Sequence, residues 1–149
     1  MKKTIISIYG SANLGKTTCI KNFFEVLTVK HSSEILNINN LPEDKNNDDD
    51  IAKIIILQNN VKIGVCSYGD DGANLETLKK LSEENCKVIV CATRTKGSST
   101  DSIYEIKNYD IKWISKAYFY ENYSDEESEV LNNSFSNCIV DLVEYYLAQ

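Results

Sequence analysis

Residues Gly10-Ser11-Ala12-Asn13-Leu14-Gly15-Lys16-Thr17 have the spacing G-x-x-x-x-G-K-T, and their flanks restrict the fold more than any other feature of the chain. Thr4 to Tyr9, before them, is a short apolar, β-branched run that predicts a buried strand. After them, Ile20, Phe23, Phe24 and Leu27 recur at helical spacing and predict a helix over 18–27. A strand, a glycine turn and a helix start place many backbone N–H groups, from Asn13 to Thr18, around one small volume. The open end of a helix adds its own unpaired donors and a positive dipole end, so the volume suits a concentrated anion. Gly10 allows the tight turn out of the strand, and Gly15, having no Cβ, lets the backbone approach a ligand closely. Lys16 supplies a point charge for phosphate oxygens, and the Thr17 hydroxyl is an oxygen donor for Mg²⁺.

On these residues the chain resembles the P-loop NTPase superfamily, directly over residues 4–27 and more weakly to about residue 97. The resemblance implies a three-layer α/β/α P-loop NTPase fold with Mg²⁺ and a nucleoside triphosphate as ligands. It also implies a second, acidic motif at the end of another strand. The nucleotide-binding set carried over is Gly10, Ser11, Ala12, Asn13, Leu14, Gly15, Lys16, Thr17 and Thr18.

A chain of 149 residues fits one domain, 1–149, with room for a core but little for inserted lids. Net charge −6 argues against nucleic acid as a partner, because phosphate backbones need a basic stripe. The five cysteines are odd in number and form no C-x-x-C pair, so they read as small buried hydrophobes of a reducing compartment. With no apolar run near 18 residues and Met1-Lys2-Lys3 leading straight into the first strand, no membrane span or signal peptide is expected, and the location expected is cytoplasmic.

Farther along, Glu34 to Asn39 reads as a short strand and 40–50 as a loop, whose acidic run Asp48-Asp49-Asp50 could hold a cation but reads first as solvated surface. Ile51–Gln58 and Val61–Tyr68 are β-rich runs separated by Asn59-Asn60, which predicts an antiparallel edge hairpin on a mainly parallel sheet. Such a hairpin is similar to the one small GTPases place between their switch regions. Beyond it, Gly69-Asp70-Asp71-Gly72 offers Asp70, with Asp71 as rival, to hold Mg²⁺ beside Thr17; the same four residues also suit a plain turn. A helix is expected over 74–85, with Asn74 as cap and Leu75, Leu78 and Leu81 on one side. Lys87–Ala92 reads as a central parallel strand. Arg94, the only arginine, follows that strand where ligands bind in parallel sheets, and could grip a γ-phosphate or an acceptor anion, or be structural.

Ser99–Tyr109 is expected to be helical, with Ile103 and Ile106 inward, and Ile111–Ser115 to be the last strand, with Trp113 in the core. Ser124 opens a C-terminal helix whose Leu131, Phe135, Cys138, Ile139, Leu142 and Tyr146 form the expected inward stripe. His31, the lone histidine, is isolated from the motif, and tyrosines 104, 109, 118, 120 and 123 are candidates for a partner surface.

The N-K-x-D signature that reads guanine is missing from both Thr93-Arg94-Thr95-Lys96 and Ser115-Lys116-Ala117-Tyr118, so ATP is favoured over GTP. Three functions fit: an NTPase with Lys16, Asp70 and Arg94 as catalytic groups that reports its nucleotide state to a protein partner, a small nucleoside or metabolite kinase, or a non-hydrolysing nucleotide-binding subunit.

Overall fold

The computed structural model describes residues 2–10, 15–42, 44, 50–68, 73–93, 101, 103–116 and 123–149. The strands are β1 (Thr4–Tyr9), β2 (Ile35–Asn40), β3 (Ala52–Leu57), β4 (Lys62–Cys66), β5 (Val88–Thr93) and β6 (Asp110–Ser115). The helices are α1 (Lys16–Lys30), α2 (Ala73–Glu83) and α3 (Asp125–Leu147), with a 3-10 turn at Ile103–Glu105. The strands form one sheet in the order β2-β3-β4-β5-β1-β6. β4, β5, β1 and β6 run parallel, and β3 is antiparallel to both of its neighbours. This is an α/β architecture with a mostly parallel sheet.

The strand sequences follow from this order. β5 is buried along its whole length, and Val-Ile-Val-Cys-Ala-Thr offers no polar alternation because helices cover both faces of the sheet. On one face Ile6 and Ile8 of β1 pack with Ile20, Phe23 and Leu27 of α1 and with Ile139, Val140 and Val143 of α3. On the other, Ile5, Ile89 and Cys91 pack with Leu78 and Leu81 of α2 and with Ile103 and Ile106 around the 3-10 turn. The hairpin expected at Asn59-Asn60 is present, and Asn60 takes the left-handed φ of 64° that its turn needs, but it does not form the edge, because β2 pairs along the outer side of β3. At the far edge β2 is exposed over most of its length.

Two expectations are corrected in part. Of the helix expected over Ser99–Tyr109, Asp101 is helical and a 3-10 turn follows at Ile103–Glu105, while residues 99, 100 and 102 lie outside the described residues. Ile103 and Ile106 are buried as expected, but a pair at i,i+3 needs only one turn, and Asn108 then leaves helical space with φ 69°. The inward stripe expected for α3 is borne out at Ile139, which is buried, and at Phe135, Leu142 and Tyr146, which are partly buried against the same core, but not at Leu131 and Cys138, which are exposed. Ser136, Val140 and Val143 complete the buried face. Ser136 belongs to it through its hydroxyl, which lies 3.0 Å from the Cys19 carbonyl of α1. A polar residue at a helix contact does not register in an apolar periodicity. Trp113 is half-buried, edge-on to Tyr9 at 5.8 Å.

Cys19, Cys66, Cys86 and Cys91 are core residues, and burial pushes the Cys86 and Cys91 thiols up to about 12. A raised thiol stays protonated and unreactive at pH 8. Alkylation of the native protein at that pH should therefore modify Cys138 alone, and all five thiols only in denaturant, as read by intact mass. Ile139→Ala should cost about 2–5 kcal/mol in denaturant unfolding, and Leu131→Ala no more than about 0.5 kcal/mol.

Candidate functional site

The carboxyl ends of β5, β1 and β6 finish level, because the parallel register matches Tyr9 with Thr93 on one side and with Ser115 on the other. Two further contacts hold this edge. Gly10, which is buried, donates its N–H to the Thr93 carbonyl at 3.2 Å, and the Ser7 and Thr93 hydroxyls meet at 2.9 Å in the interior. Gly15 is the N-cap of α1, with φ 73° and ψ 23°. That left-handed geometry is open to glycine and strained for a residue with a Cβ.

Lys16 begins α1, and its side chain reaches back to the carboxyl edge of the sheet. Its ammonium donates to the Gly10 carbonyl at 2.6 Å and the Thr93 carbonyl at 2.8 Å, and the residue is only 7% exposed. The buried cation thus sits on carbonyls at the ends of two neighbouring strands. No side chain caps α1 and its first turn holds no acid, whereas α3 is capped by Ser124 and opens on three carboxylates. A helix start of this kind leaves N–H groups that an anion can satisfy.

Thr17, half-buried, points toward the hairpin. Its hydroxyl lies 3.4 Å from Asp50 Oδ1, which accepts a 2.9 Å bond from the Ser67 hydroxyl. Ser67 Oγ accepts in turn from the Ile51 N–H at 2.8 Å, and the Ser67 N–H donates to the Ile51 carbonyl at 3.0 Å. The segment ahead of β3 is anchored by Asp44, which accepts from the Ala52 N–H at 2.9 Å and pairs with Lys53 at 3.2 Å. Thr17, Asp50 and Ser67 therefore present a hydroxyl, a carboxylate and a hydroxyl, all hard oxygen donors of the kind that suits Mg²⁺. Among the described residues no group of three or more His, Cys, Asp or Glu side chains gathers as a metal site.

Of the residues expected from the sequence, the structure brings Gly10, Gly15, Lys16 and Thr17 together, and leaves Thr18 exposed one position on. Ser11, Ala12, Asn13, Leu14, Asp70, Asp71 and Arg94 lie outside the described residues, as do Tyr118 and Tyr120. The solvated-surface reading of the acidic run is corrected at Asp50, which is half-buried and bonded to two elements. A sequence signal for it existed: Asp50 directly precedes an apolar run that the hairpin makes antiparallel to β4.

A second polar group lies on the other side of α1. Lys116, 5% exposed just after β6, donates to Asn132 Oδ1 of α3 at 2.8 Å and stands 5.3 Å from the Phe135 ring centre. The Cys19 thiol lies 3.5 Å from the same Asn132 oxygen, and burial pushes that thiol up although Lys116 opposes the shift. His31 is far from this edge, with its two ring nitrogens 3.2 and 3.0 Å from Glu34 and Glu144.

Comparison with protein-family models, with characterised proteins and with solved structures gave no match to this chain. No helix among the described residues is long and apolar enough to cross a membrane.

Gly15→Ala should lower stability by about 1–2 kcal/mol, the cost of a Cβ in left-handed space. Gly15→Asn should cost less, because asparagine tolerates that region. Thermal unfolding of the two variants side by side checks the order.

Proposed function

We propose that this chain is a P-loop NTPase that binds Mg-ATP, hydrolyses it, and couples its nucleotide state to a protein partner. The observation that carries the reading is the Lys16 ammonium, held at the carboxyl edge of β1 between a left-handed Gly15 and the uncapped start of α1. That combination matches what G-x-x-x-x-G-K-T needs in order to cradle an oligophosphate. Support for the P-loop fold comes from β1 lying between two parallel strands with helices on both faces of the sheet.

In this reading the backbone N–H groups from Asn13 to Thr18 receive the phosphate oxygens. Lys16 exchanges the Gly10 and Thr93 carbonyls for the β- and γ-phosphates and neutralises charge that develops on them. Bound Mg²⁺ would lower the negative charge of the phosphates. Thr17 would hold it, and the neighbouring oxygen donors fit a hard cation. Arg94, just beyond β5, is the candidate for a second positive charge on the γ-phosphate. Adenine is favoured as the base because neither strand-end segment supplies the carboxylate that would read guanine.

The test is titration of a fluorescent ATP analogue with and without Mg²⁺, followed by phosphate release. Mg²⁺-dependent binding is expected, with free phosphate appearing when no acceptor is present. Lys16→Ala should weaken binding about 10–100-fold, as expected for losing a charged hydrogen-bond donor, and should abolish turnover. Label that moved only into an added metabolite would make the protein a kinase instead. No affinity for any nucleotide would remove the proposal.

A further inference from the structure

We infer that Asp50 is the carboxylate that holds Mg²⁺ beside Thr17, with Ser67 fixing its orientation, an assignment that rests on the nucleotide-binding reading above.

Topology comes first. In a parallel sheet the strands reach the ligand edge at their carboxyl ends, so the residues they offer there follow a strand. β3 is antiparallel to β4, and its register pairs Ala52 with Cys66. The start of β3 is therefore level with the end of β4, and Asp50, two residues before β3, reaches the ligand edge from the opposite chain direction. The paired Ile51–Ser67 backbone bond continues the ladder to that point, and the Ser67 hydroxyl bonds Asp50 Oδ1.

Spacing is the second argument. The Thr17–Asp50 distance of 3.4 Å is long for a hydroxyl–carboxylate bond, whose usual range is about 2.5–3.0 Å. Two cis ligands of an octahedral Mg²⁺, each about 2.0–2.1 Å from the ion, stand about 2.9 Å apart, the ligand length times the square root of two. Closing by about half an ångström would make both oxygens ligands of one ion, and a bridging water would need no closure at all. Thr17 Oγ1 is thus loosely engaged while Asp50 is held firmly by Ser67.

Charge is the third. Thr17 adjoins the lysine of the phosphate loop, so a carboxylate at this distance repels an oligophosphate unless a cation stands between them. Asp50 would thereby make nucleotide affinity conditional on the metal. A residue that merely braced the loop would not do this.

The experiment measures affinity for ADP and ATP by calorimetry, in Mg²⁺ and in EDTA, for the wild type, Asp50→Asn and Asp70→Asn. In Mg²⁺ Asp50→Asn is expected to lose about tenfold to 100-fold in affinity, the range for disrupting a metal's coordination. In EDTA it should bind at least as tightly as the wild type, since the repulsion has gone. Asp70→Asn should keep the metal-dependent gain. A full gain in Asp50→Asn, or its loss in Asp70→Asn alone, overturns the assignment while leaving nucleotide binding intact. Absence of nucleotide affinity in the wild type overturns the underlying reading instead. Should Asp50→Asn not fold, Mn²⁺ with ADP on the wild type decides: the Asp50 and Ile51 amide NMR signals must broaden on adding Mn²⁺, and sharp signals there overturn the assignment.

Discussion

The ammonium of a lysine that is only 7% exposed has lost most of its water, and it is tolerated only where fixed dipoles replace that water. For Lys16 two of those dipoles are the Gly10 and Thr93 carbonyls, which belong to different strands. The seat therefore exists only if β1 and β5 are adjacent, parallel and in the register that levels Tyr9 with Thr93. A slip of one residue would turn every side chain of β5 to the opposite face and carry the Thr93 carbonyl away. The buried Ser7–Thr93 hydroxyl pair and the Gly10 N–H on the Thr93 carbonyl oppose such a slip at the end where it matters. The centre of the sheet and the candidate site are in this sense one structure.

β5 also sets a distance problem. It stands between β1 and β4, so the axes of β1 and β4 lie two strand spacings apart, about 9.5 Å. A short side chain leaving the end of β4 along the sheet would not span that gap to α1. The Ser67–Asp50–Thr17 chain spans it in two links of 2.9 and 3.4 Å, with the carboxylate supplied by β3's leading residues. The hairpin consequently does more than extend the sheet. Its turn at Asn60 reverses the chain, and that reversal aims residue 50 at the carboxyl edge.

How much of this the sequence disclosed depends on the range over which each feature is encoded. The strand–turn–helix around Gly15 is local, and so is the Asn59-Asn60 hairpin, where an αL-tolerant residue separates two β-branched runs. Both could be read directly. Strand order is not local: nothing in Val88–Thr93 states that it lies beside β1 rather than at an edge, although its lack of polar alternation places it inside the sheet. Asp50 was hard to read for the same reason, since its partners are 33 and 17 residues away and the residues before it are acidic and polar; only its place ahead of an apolar run pointed to it. The stripe of α3 shows a different limit. Apolar periodicity found the helix and most of its inward face but missed Ser136, which takes a buried position that hydropathy assigns to leucine or phenylalanine.

That serine bears on the site through α1. Ser136 bonds the Cys19 carbonyl one turn after Lys16, and Asn132 receives both the Cys19 thiol and the Lys116 ammonium. Lys116 is tied back to β1 by its own N–H on the Tyr9 carbonyl at 3.0 Å. The first turn of α1 is thus held from the sheet end by Lys16 and from its outer side by α3, which leaves little freedom in the helix axis. A long apolar pair at this crossing would have set the helices farther apart, since small residues allow the closest approach. Displacing α1 by even about an ångström would take Thr17 and Lys16 off their partners together, and site geometry at that tolerance decides function. The polar α1–α3 contact therefore costs some apolar burial and secures the positions of Lys16 and Thr17.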